Sequence, residues 1–78
     1  MTDITSRVRM LVVDVLDVPE RTVTSETARG ELPEWDSLGH LRLMTAFEEE
    51  FGIRPSMAQI NDTKTVADLV TLAGGASL

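Results

Sequence analysis

The spacing of apolar residues near the start of the chain most limits the folds open to it. Ile4, Val8, Leu11, Val12 and Val15 recur at intervals of four, three, one and three residues. This is the period of an α-helix with one apolar face, whereas a half-buried strand alternates at every second residue. We therefore predict a first helix here, which buries its apolar face against other helices.

The ends of this helix are also marked. Thr2 or Asp3 is expected to cap its start. Asp17-Val18-Pro19 is expected to end it, because proline disfavours helix in the residue before it. Residues 19–35 then form a long connection, rich in Pro, Thr, Glu and Gly, that we expect Val23 and Leu32 to anchor in the core. A loop of this length in a small domain is often functional.

A second helix is predicted over residues 37–51. Asp36 is expected to cap it by accepting a hydrogen bond from the backbone N–H of Leu38 or Gly39. Gly52 is expected to end it in the left-handed conformation. The predicted inward face consists of Leu41, Leu43, Met44, Phe47 and Phe51. The predicted outward face consists of Arg42, Thr45, Glu48 and Glu49.

Two further helices complete the fold. Residues 56–60 predict a single short turn, too short to be stable alone. Thr65-Val66-Ala67-Asp68 matches a capping box with Asp in place of Glu, and Gly74-Gly75 is expected to end the helix that it opens. The apolar face of that helix comprises Val66, Leu69, Val70 and Ala73. We predict an all-α four-helix bundle, with three main helices, one short helix and a long first loop, forming a single domain over residues 1–78.

Composition excludes several classes of function. The chain has no cysteine, so disulfides, thiolate nucleophiles and sulfur-ligated metal sites are ruled out, and we predict no metal site. Its 13 acidic and 7 basic residues give a net charge of −6, which is unfavourable for binding nucleic acid or an anionic membrane. No secretory signal is visible, and the longest apolar run, residues 10–13, is too short to cross a bilayer. We expect a soluble cytoplasmic monomer.

Ser37 places a hydroxyl where the long loop becomes the second helix. The N-terminus of a helix favours negative charge, so an anionic group on this oxygen would be stabilised there. A plainer interpretation is that Asp36 and Ser37 only cap the helix, as such residues commonly do. The two residues by themselves favour the plainer interpretation.

The wider layout resembles the acyl carrier protein family. Asp36-Ser37-Leu38 is similar to that family's signature, and the order of helices, the long loop and the Glu48–Ile53 helix end also follow it. The resemblance implies that the chain is not an enzyme and that Ser37 carries 4′-phosphopantetheine, whose thiol holds acyl or aminoacyl thioesters. It also implies that Asp36 helps to place Mg²⁺ and the serine when the transferase binds.

The resemblance implies partners as well. These are a phosphopantetheinyl transferase, acyl- or aminoacyl-loading ligases and synthase enzymes, which we expect to dock on Leu38, Arg42 and Met44. Arg42 departs from many fatty-acid carriers, which have an acidic residue at this point. Residues 35–40 are more similar to stand-alone carriers of secondary-metabolite pathways. Polyketide, extender-unit and aminoacyl cargo all stay open.

Other residues near the motif have simpler interpretations. His40 lies on roughly the same helical face as Ser37, but no third group is available to orient it as a base. We therefore predict a surface histidine that borders the site. Trp35 is predicted to pack on the bundle rather than line a partner surface. The methionines expected to fill the core or its edge are Met10, Met44 and Met57.

Two other functional classes remain to be weighed. The first is a helical interaction module without a prosthetic group, in which Ser37 only caps the second helix. The second is a small hydrolase that uses Ser37 and His40, for which the sequence offers neither an oxyanion loop nor an orienting acid. We rank the carrier first, the interaction module second and the hydrolase last.

Overall fold

A computed structural model describes residues 3–75 as a helical bundle. The elements are α1 (Ile4–Leu16), a 3₁₀ turn (Glu20–Thr22), α2 (Ser37–Phe51), α3 (Met57–Asp62) and α4 (Val66–Gly75). The all-α prediction is confirmed, with three longer helices, one short helix and a long first loop. None of the helices in this part of the chain is both long and apolar enough to cross a membrane.

The core lies between the three longer helices and is closed by side chains of the long loop. The helices contribute Val8, Val12, Leu16, Leu43, Met44, Phe47, Val66, Leu69 and Ala73, and the loop contributes Val18, Val23 and Trp35. Each large apolar side chain that is fully buried contributes about 1.5–3 kcal/mol. Because α3 buries none of its side chains, the other elements hold the fold together.

Local signals set the helix ends as predicted. Asp17 ends α1 in the left-handed conformation, with φ of 55°. Gly52 ends α2 in the same conformation, with φ of 67°, and its N–H donates to the Glu48 carbonyl. Asp3 occupies the cap position of α1 without a side-chain hydrogen bond, whereas Thr2 lies outside the described residues.

Two reciprocal capping boxes start the last two helices. In the first, Ser56 Oγ accepts from the Gln59 N–H while Gln59 Oε1 accepts from the Ser56 N–H. In the second, which was predicted, Asp68 and Thr65 exchange the equivalent bonds, both of 3.1 Å. Helix α4 continues to Gly75, so the stop predicted at Gly74-Gly75 coincides with the end of the described residues.

The long loop is tied to the bundle at several points. Val23 is fully buried and Leu32 packs half-buried against the core, as predicted. Backbone bonds join the loop to the start of α4: the Arg29 N–H donates to the Lys64 carbonyl at 2.6 Å, and the Val66 N–H donates to the Thr27 carbonyl at 3.0 Å. The residues that precede Ser37 are therefore fixed on the bundle.

Three apolar side chains that we expected in the core or at its edge are exposed. Leu41 is 55 % exposed, Met10 44 % and Met57 68 %. On α2 the buried series is His40, Leu43, Met44 and Phe47, at the three- and four-residue spacing of one helical face. His40 thus takes the inward position that we assigned to Leu41.

Candidate functional site

Ser37 is the first residue of α2 and its side chain is exposed. Among the described residues its hydroxyl has no hydrogen-bond partner. The first amides of a helix lack partners within the helix, and the helix dipole adds positive potential at this end. An anion bound to the Ser37 oxygen would be stabilised there by about 0.3–1 kcal/mol.

Asp36 caps α2 as predicted. Its Oδ1 accepts a hydrogen bond of 2.8 Å from the Gly39 N–H, and its backbone is extended. Such a cap stabilises a helix by about 0.5–2 kcal/mol. The carboxylate of Asp36 therefore fixes the turn on which the Ser37 hydroxyl is presented.

Gly39 is a part of the site that the sequence analysis missed. A Cβ atom at this position would overlap the backbone carbonyl oxygen of Glu34 and lie 3.3 Å from Asp36 Oδ1. Only glycine lets the end of the loop lie this close to the first turn of α2. The sequence did carry a signal for this residue, since Gly39 lies inside a predicted helix. Glycine within a helix lowers stability, so its presence there usually has a packing reason.

Trp35 and His40 form a buried pair beneath Ser37. Trp35 is fully buried, and its Nε1–H donates to His40 Nδ1 at 3.0 Å. His40 Nε2 lies 2.9 Å from the Ile60 carbonyl oxygen, which only accepts, so Nε2 carries the proton of a neutral imidazole. Trp35 packs in the bundle as predicted. The prediction of a surface histidine is wrong, because the Trp35 indole and the Ile60 carbonyl satisfy its ring inside.

The surroundings of His40 keep it uncharged. Burial lowers the pKa of the imidazole from 6.5, and the positive charge of Arg29 lowers it further, while the bond to the Ile60 carbonyl acts in the opposite direction. Both ring nitrogens are occupied, so neither is available to take the proton of Ser37. The geometry does not support the Ser37–His40 hydrolase.

A groove of about 610 Å³ opens beside Ser37, between the long loop, the start of α2 and α3. Leu41, Met57 and Ile60 form its apolar wall. Among the described residues that line it, Arg29 is the positively charged side chain and Asp36 the negatively charged one, and Ser37 lies on the rim. The groove therefore combines an apolar surface with a cation near the exposed hydroxyl.

The residues predicted to meet partners are not all on the surface. Leu38 is 65 % exposed and Arg42 is also exposed, so both are accessible on the first turns of α2. Met44 is only 2 % exposed and packs in the core, so its predicted place on a docking surface is wrong. Leu41, which we assigned to the core, is exposed on this part of the helix instead.

Comparison with known proteins agrees with this site. The family model for the phosphopantetheine attachment site matches residues 6–73. The acyl carrier proteins of two strains of Caulobacter vibrioides, NA1000/CB15N and ATCC 19089/CIP 103742/CB 15, are each 37 % identical to this chain over 70 residues, which is 90 % of this chain and 90 % of theirs. The all-α fold and the family match are those of a phosphopantetheine-binding carrier domain. The chain belongs to the acyl carrier protein family, whose members are carriers rather than enzymes.

The residues of the site fit the prosthetic group of this family, 4′-phosphopantetheine. The Ser37 hydroxyl is free to be esterified, and the α2 N-terminus and Arg29 provide positive potential for a phosphodiester. The apolar wall of the groove suits the rest of the arm. When bound, the group supplies a thiol for thioester chemistry, which a chain without cysteine otherwise lacks.

Proposed function

We propose that Ser37 is the attachment point of 4′-phosphopantetheine and that the chain delivers acyl or aminoacyl thioesters between biosynthetic enzymes. The observation that carries this proposal is the exposed hydroxyl at the first residue of α2, which has no hydrogen-bond partner within residues 3–75. Among the other described serines, Ser56 also lies at a helix start, but its Oγ is engaged in the capping box of α3. Ser6 lies within α1 and Ser25 in the loop, away from this groove.

The chain does not supply every group that attachment needs. A bond forms between Ser37 Oγ and the phosphorus of coenzyme A that carries the pantetheine. The phosphoanhydride bond to that phosphorus breaks, adenosine 3′,5′-bisphosphate leaves, and the hydroxyl proton must be taken up by a base. Since both nitrogens of His40 are engaged elsewhere, the base belongs to the transferase. The role proposed for Asp36 is to hold the first turn of α2 and to present its exposed carboxylate to the Mg²⁺ of the transferase.

Intact mass spectrometry tests the attachment point. After incubation with a broad-specificity phosphopantetheinyl transferase and coenzyme A, the natural chain should gain the mass of one phosphopantetheine. Ser6→Ala is the matched control and should gain the same mass, whereas Ser37→Ala should gain none while keeping its far-UV circular dichroism. A gain of mass by Ser37→Ala would contradict the assignment. An unmodified natural chain would favour a helical interaction module.

The docking surface proposed for partner enzymes lies on the first turns of α2. Leu38, Leu41 and Arg42 are all exposed there, close to Ser37. The partners proposed for this surface are the transferase, acyl- or aminoacyl-loading ligases and synthases. Exposed apolar side chains beside a charged one are typical of a surface that is buried transiently.

The pathway proposed for the chain is a secondary-metabolite pathway with polyketide, extender-unit or aminoacyl cargo. The supporting feature is Arg42, a positive charge on the α2 docking surface of a chain with net charge −6. An acidic residue there would complement basic partners, whereas Arg42 repels them.

A comparison of acyl donors and synthases tests the pathway. The holo chain should be loaded by extender-unit or aminoacyl-specific enzymes and be a poor substrate for fatty-acid synthase enzymes. The Arg42→Glu variant should be a better substrate for the fatty-acid enzymes, because many fatty-acid carriers have an acidic residue at this position. Equal use of the natural chain by the fatty-acid enzymes would overturn the secondary-metabolite proposal and leave the carrier function intact.

A further inference from the structure

The Arg29 side chain is held at the groove from two directions. Its backbone N–H donates to the Lys64 carbonyl at 2.6 Å, which fixes the main chain of the loop against the start of α4. Its Nη2 donates to the Asn61 carbonyl at 3.3 Å, which directs the guanidinium toward α3. The side chain is half-buried and forms part of the groove wall. The position of Arg29 in the groove wall is thus set by one main-chain and one side-chain hydrogen bond.

The Arg29 guanidinium has no carboxylate partner in the described part of the chain. The single ion pair over residues 3–75 joins Arg7 to Glu50, on α1 and α2. One bond to a backbone carbonyl uses only part of the donor set of an arginine. Arg29 differs from the other basic residues in lining the groove beside Ser37, so its remaining donors face the place where an external anion would lie.

The positive charge of Arg29 reaches the start of α2. After burial, it contributes to lowering the pKa of His40, which lies on the first turn of that helix. Ser37 lies three residues earlier and borders the same groove. The α2 N-terminus adds potential of the same sign at the Ser37 oxygen. Arg29 and the α2 N-terminus therefore both contribute positive potential where a group attached to Ser37 would begin, and they oppose the negative charge of the neighbouring Asp36 carboxylate.

We propose that the Arg29 guanidinium binds the phosphodiester of the arm attached to Ser37. This inference rests on the proposed attachment point and adds a residue that positions the arm. A phosphodiester is a permanent anion, and arginine forms strong charge-assisted hydrogen bonds with phosphate oxygens. Fixing the phosphodiester beside Ser37 leaves the rest of the arm next to a groove whose lining includes Leu41 and Met57.

Nuclear magnetic resonance of loaded variants tests this role. Arg29→Gln is compared with Arg21→Gln, which makes the same change of charge at an exposed residue of the 3₁₀ turn, outside the groove. Both variants and the natural chain are loaded to completion, as verified by intact mass. We expect the Arg29 Nε–Hε resonance of the natural chain to shift downfield on loading. The ³¹P resonance should move toward that of free phosphopantetheine in Arg29→Gln and stay unchanged in Arg21→Gln.

The outcomes separate this inference from the proposed function. A loaded natural chain whose Arg29 resonance equals that of the unloaded chain would overturn the role of Arg29 alone. So would a resonance that moves only after a dicarboxylic acyl group is added, since Arg29 would then bind the cargo carboxylate. A natural chain that gains no mass would overturn the attachment point as well. If Arg29→Gln unfolds, the resonance of the natural chain before and after loading still decides.

Discussion

At the scale of single residues, Gly39 is the point where the loop and α2 come closest. The backbone carbonyl of Glu34 occupies the space where a side chain at position 39 would begin, and Asp36 Oδ1 accepts the Gly39 N–H. A methyl group here would push the loop away from the helix or weaken the cap. The orientation of Ser37 therefore depends on a residue that has no side chain.

We expect Gly39→Ala to destabilise the fold by about 1–3 kcal/mol, because the added methyl overlaps main-chain atoms that cannot simply rotate away. The matched control is Gly74→Ala in α4, where an added Cβ has no heavy atom within 4 Å. That change should stabilise the protein by about 0.5–1 kcal/mol, since alanine is the better helix former. Urea unfolding of both variants measures the difference. Equal effects of the two substitutions would contradict the close approach at Gly39.

His40 gives the stability of the protein a dependence on pH. Because its folded-state pKa is lowered, the unfolded chain binds more protons than the folded chain below about pH 6.5. Its contribution to the free energy of unfolding is therefore present above that pH and is lost as the pH falls. Asp68 affects the free energy of unfolding in a separate range, below about pH 3.8. Its pKa is lowered chiefly by the hydrogen bond from the Lys64 N–H, so its contribution is present above that pH and is lost as the pH falls. The two effects are separable in one titration.

We expect the His40 imidazole to titrate with a midpoint below 6.5 in the folded protein. It is the single histidine of the chain, so its proton resonance needs no assignment by mutagenesis. Urea unfolding at about pH 7.5 and about pH 5.5 should show the lower stability at the lower pH. A midpoint at or above 6.5 would be incompatible with the burial of the imidazole.

At the scale of elements, α2 divides into a buried face and an exposed face near Ser37. Leu38 and Leu41 are apolar and largely in solvent, although the core accommodates Leu43 and Phe47 on the other side of the helix. Solvent exposure of two leucines beside the proposed attachment point is explained if partner enzymes cover them. The buried face fixes the helix, so substitutions on the exposed face should report on docking alone.

We expect Leu38→Asp to lower kcat/KM of the phosphopantetheinyl transferase by about tenfold, which corresponds to about 1.4 kcal/mol of lost contact with the enzyme. Met10→Asp is the matched control, because Met10 is also an exposed apolar residue but lies on α1, away from the groove. It should leave the rate of loading unchanged. Steady-state kinetics followed by intact mass measure both. A similar loss in the two variants would indicate a nonspecific effect of charge.

The elements also show which parts of the fold the sequence could predict. The bounds of α1 and α2 and the capping box of α4 follow from local residues, such as Pro19, Asp36 and Gly52, and all were predicted. The burial of His40 was not, because one of its two partners is the carbonyl of Ile60, 20 residues further along. Nor was the pairing of the loop with the start of α4, which uses backbone groups that leave no mark in the sequence.

At the scale of the whole molecule, α3 is the least firmly attached of the four α-helices. It contributes no buried side chain, and Met57 is 68 % exposed. Ile60 packs half-buried against the core. Two side chains from other elements form hydrogen bonds with the backbone of α3: His40 bonds to the Ile60 carbonyl, and Arg29 bonds to the Asn61 carbonyl. The wall of the groove that faces Ser37 is therefore its most easily displaced part.

We expect the amides of α3 to be at least about tenfold less protected against hydrogen exchange than those of residues 43–47 in α2, because local opening of α3 exposes little apolar surface. Hydrogen exchange followed by nuclear magnetic resonance measures this difference in protection. It is carried out at about pH 7, because His40 is neutral there. The amides of the exposed first turn of α2 serve as an internal reference, because they show how much exchange the fraying of a helix end produces. Equal protection of α3 and the centre of α2 would show that the bundle opens only as a unit.

The buried indole of Trp35 provides an optical signal for the state of the groove. Its N–H is bonded to a neutral imidazole, and it is the sole tryptophan of the chain. A change that separates α3 from α2, or that places a proton on Nδ1 of His40, alters the surroundings of this one fluorophore. The emission spectrum of the unlabelled protein can therefore follow both events during loading, without a dye that would itself occupy the binding surface.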